Sequence, residues 1–399
     1  MIYLLVFLYL FFLSYHFDFK KHKGNKKIHY ALALLFLVCI AGFRYRIGID
    51  TIRYEMTFDT IPTLRSLSLT EFSENKYDPL YLLLASICKS ISSEFWVLQM
   101  AQAILVNFVF FRFFRKNTNN YFFAILIYYL LLYISDMAET MRESCAIAMM
   151  LLSWEYYKKD KRFMVFLFFV FAFLFHSSAI LLFVIFMPIL LRFDKYITFS
   201  KNTAIISIII LLTATVVQSI FMENLISIAL NARFSDKVDV YLENGMLGSQ
   251  LNVFGVLTSI ILYGLVPYFC IKSLRHKKDI YKLEYFLVVE FLCAMMSFPI
   301  FIFYRYINYF LPFVILAIAK TLSEKDVKIL TLKPLVTTSF IIWLLLAFPY
   351  VAIRLKLFLS PEWEGGPMTY SRYFPYSSIF TQEKDPERES IFTQFIFYQ

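Results

Sequence analysis

The chain has 399 residues, 60% of them hydrophobic, with 17% charged residues, a mean hydropathy of +0.64 and a formal net charge of +10. Soluble domains carry roughly 45–50% apolar and about 25% charged residues, so a water-soluble protein is excluded. The positive balance fits membrane-flanking loops and not a nucleic-acid interface, because no module interleaving aromatic and basic residues accompanies it.

In chain order, apolar runs fall at about 2–17, 28–43, 78–92, 94–111, 121–135, 138–157, 163–175, 178–191, 203–222, 251–271, 283–302, 304–319 and 335–353. They are continuous and not alternating, and many approach the roughly 20 residues that a spanning helix needs. The expected class is therefore all-α, a polytopic integral membrane protein. The first run lacks a basic flank and a small-residue cleavage site, which reads as a retained helix and not a signal peptide. The five cysteines (Cys39, Cys88, Cys145, Cys270 and Cys293) lie in or beside apolar runs without a C-x-x-C spacing. They read as buried small hydrophobes and not as a disulfide or metal framework.

Charge decides which runs cross. The loop Lys20-Lys21-His22-Lys23-Gly24-Asn25-Lys26-Lys27 is basic and therefore inner. If 78–92 crossed, the basic loops Arg112–Lys116 and Lys158–Arg162 would both fall outside. Treating 78–92 as a re-entrant or interfacial helix puts 24 of the 39 Lys and Arg on the inner side. The expectation is about 12 transmembrane helices plus that one helix, with both termini outside. Residues 1–353 form a single membrane domain with long outer loops at 44–77 and 223–250. Residues 354–399 form an extracytoplasmic tail.

This topology gathers polar residues on the outer side. Arg44, Arg46, Asp50, Arg53 and Tyr54 follow the second span, and Glu139 and Arg142 sit near a later turn. His176 separates two apolar runs, Arg233 and Tyr241 lie in the second long loop, and Arg305 and Tyr309 open a late run. Ionisable groups near helix ends are costly unless paired or solvated. Each also has a plainer role. Arg44 and Arg46 can snorkel, Glu139 and Arg142 can pair at i,i+3, His176 can be satisfied by backbone, and Arg305 can be an aromatic-belt anchor. No Walker loop and no H-E-x-x-H occurs, so neither nucleotide nor metal chemistry is called for. Arginines, carboxylates and one histidine at a membrane boundary suit a polyprenyl pyrophosphate carrying sugar. Guanidinium forks hold the departing pyrophosphate, and a carboxylate or imidazole takes the proton of the attacking hydroxyl.

The pattern Arg44-Tyr45-Arg46-Ile47-Gly48-Ile49-Asp50-Thr51-Ile52-Arg53-Tyr54 resembles the R-x-x-x-G-x-D-x-x-x-Y signature of the EpsG family, a branch of the Wzy-like polysaccharide polymerases. Tyr77-Asp78-Pro79-Leu80-Tyr81 is similar to its next segment, with Asp78 where Glu is usual. Met141-Arg142-Glu143 resembles its R-Q segment, with Glu143 where Gln is common. Phe175-His176-Ser177-Ser178-Ala179 and Tyr304-Arg305-Tyr306-Ile307-Asn308-Tyr309-Phe310 follow in order. The resemblance covers about residues 40 to 320.

The resemblance implies a GT-C-like membrane glycosyltransferase without a cofactor, in the bacterial inner membrane with its site facing outward. It would polymerise undecaprenyl-pyrophosphate-linked oligosaccharide repeat units in exopolysaccharide, capsule or O-antigen synthesis, with a chain-length co-polymerase as partner. In that reading Arg44, Arg46 and Arg142 bind the donor pyrophosphate, and Arg233 and Arg305 bind the acceptor's pyrophosphate or assist the leaving group. His176, with an ordinary pKa near 6.5, or Asp50 is the base. Arg53, Tyr54, Asp78, Glu139, Tyr241 and Tyr309 support glycan or neighbours. The rival readings are a lipid-linked oligosaccharide flippase, an envelope glycan ligase, and a structural subunit of a synthesis complex.

Overall fold

The computed structural model describes residues 2–74, 77–200, 203, 205–207, 209, 253–300, 303–322, 347–352 and 370–397. Arg233, Tyr241, the loop 223–250 and the first part of the tail lie outside the described residues, as do most of the runs 203–222 and 335–353. Among the described residues every regular element is helical, apart from one antiparallel bridge between Arg44 and Ser378. Among those residues four helices are long and apolar enough to cross a membrane: Ile2–Phe19, Trp96–Asn117, Tyr121–Ala138 and Phe254–Leu274.

The chain divides into two units. The first is Met1–Met187 together with Val336–Tyr398, and the second is Pro188–Leu335. The first unit contains α1 (Ile2–Phe19), α2 (Lys26–Gly42), α3 (Ile49–Thr60), α4 (Pro79–Ile91), α5 (Trp96–Asn117), α6 (Tyr121–Ala138), α7 (Met141–Tyr157) and α8 (Arg162–Phe175). α9 (Ser177–Leu191) leads into the second unit. That unit contains α10 (Phe254–Leu274), α11 (Ile280–Met296) and α12 (Phe303–Thr321). α13 (Pro386–Phe397), in the tail, belongs to the first unit.

The first unit is an aromatic-rich bundle. Tyr128 of α6 stacks on Phe110 of α5 with centroids 4.4 Å apart. Its hydroxyl donates to Asn107 Oδ1 at 3.2 Å. Gln102 of α5 donates to Ser144 Oγ of α7 at 2.9 Å and to the Asp136 carbonyl at 3.0 Å. Such buried polar links hold apolar helices in register where lipid tails supply no hydrophobic drive.

Side-chain pairs identify the two ends of this bundle. At one end, Asp18 of α1 accepts the Phe123 amide of α6 at 2.8 Å. At the same end, Arg112 and Lys116 of α5 pair with Glu155 of α7. The basic loops 20–27, 112–116 and 158–162 flank those helix ends. The arginine-rich segment lies at the other end, where α2 and α6 finish and α5 and α7 begin.

α3 and α4 belong to that second end. Tyr54 of α3 meets Tyr81 of α4 with centroids 5.9 Å apart, and Lys89 near the far end of α4 donates to the carbonyls of Phe58 and Asp59. Both ends of α4 are therefore tied to α3. With 13 residues it is about 20 Å long, short of the roughly 30 Å hydrocarbon layer.

Gly48 sets the close approach of this segment to the bundle. Its φ is +84°, and a Cβ there would lie 2.8 Å from Ala138 Cβ and 2.9 Å from the Ala138 carbonyl oxygen. Only glycine takes that backbone conformation without strain. The Gly48 amide donates to the Arg372 carbonyl at 2.8 Å, and the Thr51 hydroxyl donates to the Ala138 carbonyl.

Candidate functional site

Asp78 is the centre of a charged cluster. It immediately precedes α4, with Pro79 at the first helical position, the usual arrangement of a capping residue and an N1 proline. Its carboxylate does not cap that helix. Instead Oδ2 accepts from Arg142 Nη1 at 3.2 Å and lies 3.4 Å from His176 Nδ1, while Oδ1 accepts the Ser177 amide at 3.2 Å. Four elements supply these groups: the turn before α4, the first turn of α7, the end of α8 and the start of α9.

Arg142 is held on its other side by aromatic rings. Its Nε donates to the Tyr54 hydroxyl at 3.3 Å, and its guanidinium lies 5.3 Å from the Tyr77 ring centroid. His176 reaches the cluster because α8 ends at Phe175 and the next residue is extended, with φ −154° and ψ 117°. The side chains of Asp78, Arg142 and His176 are 14%, 19% and 10% exposed, so the pairing is screened from bulk water but remains reachable.

Burial alone would raise the Asp78 carboxyl. The His176 hydrogen bond and the Arg142 charge outweigh it and hold the group below its ordinary value. Asp78 is thus ionised at neutral pH and only accepts. The proton it shares with neutral His176 must sit on Nδ1, leaving Nε2 as the ring's acceptor. Tyr54 moves the other way: burial pushes its hydroxyl up despite the nearby Arg142 charge.

Arg46 forms a second group. It has φ +50°, an uncommon conformation outside glycine. Its Nε and Nη2 grip Glu389 of α13 at 2.6 and 2.7 Å, and Nη1 donates to Glu55 of α3 at 3.1 Å. The tail closes over the same segment. Tyr45 N donates to the Ser377 carbonyl and Ile379 N to the Phe43 carbonyl, both at 2.9 Å, and the Tyr376 hydroxyl donates to the Ile40 carbonyl at 3.1 Å. Ile52 packs with Ile391 and Phe392. Buried Arg388 donates to the carbonyls of Ser371 and Pro375. Replacing Glu389 with glutamine removes the charge from a forked pair worth about 1–2 kcal/mol. Amide exchange at Tyr45 and Ile379 should then quicken roughly tenfold. Exchange unchanged from wild type would mean that the fork does not hold the tail.

The structure thus brings Tyr54, Asp78, Arg142 and His176 together. It places Arg46 with Glu55 and Glu389, and Glu139 with Arg372 at 3.8 Å. Arg44 is buried, with 3% of its surface exposed. Asp50 and Arg53 lie on exposed positions of α3. Arg305 and Tyr309 belong to α12 of the second unit, Arg305 partly buried and Tyr309 fully buried. Sequence reasoning missed Glu55, Glu389 and Arg372. The first could have been found from its place beside Tyr54, but nothing local marks the other two. No group of three or more His, Cys, Asp or Glu suited to a metal occurs among the described residues.

A helical membrane protein with a half-buried Asp–Arg–His cluster at one end of its bundle is the class that these observations define. A sequence model described as the EpsG family matches residues 27–378. The chain belongs to the EpsG family. No curated protein and no solved structure matches it.

Proposed function

We propose that the chain is a membrane glycosyltransferase that polymerises lipid-linked oligosaccharide repeat units, moving the growing glycan from a polyprenyl pyrophosphate to the next lipid-linked unit. Family membership supports a polymerase-type role. The observation that carries the chemistry is the Asp78–His176–Arg142 cluster. His176 Nε2 takes the proton of the acceptor hydroxyl as its oxygen attacks the anomeric carbon, and the bond to the pyrophosphate oxygen breaks. Asp78 holds the ring's tautomer and faces the imidazolium that forms. Arg142 lies beside the base, positioned to offset charge developing on the leaving pyrophosphate.

In this reading the end of the bundle bearing the cluster faces outward from a bacterial inner membrane, and the basic end faces the cytoplasm. Arg305 assists the acceptor's pyrophosphate, and the whole chain has about twelve spans with a GT-C-like arrangement. A chain-length co-polymerase is the partner. The test is reconstitution of purified protein with lipid-linked repeat units. Products longer than one repeat are expected, together with release of the polyprenyl pyrophosphate. Movement of the lipid-linked unit between leaflets without chain growth would replace this reading with a flippase, and transfer to a different acceptor would replace it with a ligase.

A further inference from the structure

Phe380 stands in a tight turn of the tail. The amides of Thr381 and Gln382 both donate to the Ser378 carbonyl, at 3.1 and 2.8 Å, and Gln382 has φ +49°. On the other side the Ile379 amide is fixed to the Phe43 carbonyl. The backbone around Phe380 is therefore held, yet 75% of the residue is exposed. Residues 381–384, which follow, are polar and exposed.

A single exposed phenylalanine is ordinary on a protein surface, so its location decides what it does. Its ring centroid lies 5.2 Å from that of Phe43, and Phe43 meets Trp96 at 6.0 Å. Phe43 is the first residue beyond α2, and Trp96 is the first of α5. The two helices touch there, since a Cβ on Gly42 would come within 2.5 Å of Met100. Both helices leave apolar side chains uncovered along their length: Ile28, Leu32 and Phe36 on α2, and Ile104 and Phe108 on α5, each 37–54% exposed. In a membrane bundle such side chains face lipid tails. Phe43 follows Phe36 by two turns on the same face of α2. Phe380 thus extends the lipid-facing surface past the end of that helix.

Depth follows from α5. Arg115 and Lys116 lie in its last turn, and Trp96 opens it. Its 22 residues make about 33 Å of helix, close to the roughly 30 Å hydrocarbon layer. With the basic end in one headgroup region, Trp96 lies at the opposite boundary, where aromatic rings collect. Phe43 and Phe380 share that level through their ring contacts.

We infer that the turn 378–382 is a membrane anchor, with the Phe380 ring entering the boundary between lipid headgroups and acyl chains. The tail is then held to the bundle by lipid as well as by the Glu389–Arg46 fork. The partner is the bilayer and not a second chain, because the ring continues a surface that already meets lipid along α2 and α5. The inference uses neither the polymerase reading nor the direction in which this end of the bundle faces.

The experiment places a nitroxide label on Phe380→Cys in the full-length protein in lipid nanodiscs, with Gln382→Cys as the reference. Labelled wild type, whose own cysteines are buried or half-buried, gives the background. Collisions with oxygen, which concentrates in lipid, and with a water-soluble nickel chelate report depth. At 380 collisions with the chelate should be roughly threefold rarer than at 382, and oxygen should dominate. A second measurement keeps the ring. Phe380→Trp should add fluorescence that lipids brominated near the headgroup quench more strongly than lipids brominated near the chain ends.

Equal chelate access at the two positions, or added fluorescence that no brominated lipid quenches, would put the ring in water and overturn the anchor. Shielding of 380 from oxygen and chelate alike would make its partner a second copy of the chain and overturn it as well. Neither readout involves chain growth, so failure here leaves the polymerase reading untouched.

Discussion

Arg142→Met should destabilise the protein by about 3 kcal/mol and abolish chain growth. The stability estimate is the lower end of what removing one partner of a buried ion pair costs, because both side chains keep some exposure and Asp78 retains two other donors. Methionine preserves most of the volume, so the loss reports the stranded charge and not a cavity. The sign of the pH dependence checks the cause. In the wild type Asp78 is held below its ordinary value. Its contribution is therefore present above the unfolded value of about 3.9 and lost as pH falls through the folded one. Without the guanidinium, burial opposes ionisation far more effectively, and acidification relieves the variant. The gap in unfolding temperature between wild type and variant should be widest near neutral pH and narrow below about pH 4. A gap that stays constant across that range would mean that Arg142 acts by packing alone.

Much of this was legible in the sequence because membrane helices announce themselves. The apolar runs at 2–17, 94–111, 121–135 and 251–271 correspond to the four long helices found among the described residues. The His176 position was legible as a polar break between two apolar runs. Asp78 was visible only as a supporting residue, since Asp-Pro before an apolar run reads as an ordinary helix start. Its side chain is diverted from that capping role to Arg142, His176 and Ser177, and a local pattern cannot carry that diversion. The sequence of α3, IDTIRYEMTFDT, is too polar for a span and by itself implies a loop. The segment is helical because Thr51, Tyr54 and Phe58, at i, i+3 and i+7, are buried on one face. The tail was the least legible part. Glu389 lies 343 residues from Arg46, and no periodicity links a C-terminal helix to a turn near the N-terminus. The plain i,i+3 pairing of Glu139 with Arg142 gave way for a similar reason: each found a partner from a distant part of the chain.

Asp78→Asn is expected to reduce the polymerisation rate at least a hundredfold with little loss of lipid-linked substrate binding. Asparagine keeps the shape of the carboxylate and can still accept from Arg142 or Ser177. Its amide can also donate to His176 Nδ1, which would put the ring proton on Nε2, where the acceptor hydroxyl has to be deprotonated. A misplaced proton removes general-base assistance, worth roughly 10²–10⁴ in rate. His176→Ala should cost about as much, and the double variant should be scarcely slower than either single one, because groups acting as one unit do not add. A merely structural Asp78 would behave differently: its loss would raise KM and lower stability, while the pH profile kept its acidic limb. If His176 is the base, that limb should follow the imidazole in the wild type and vanish in His176→Ala. Full activity in both variants would remove the dyad from the mechanism. Asp50, exposed in the first turn of α3 one turn before Tyr54, would then be the carboxylate to replace next.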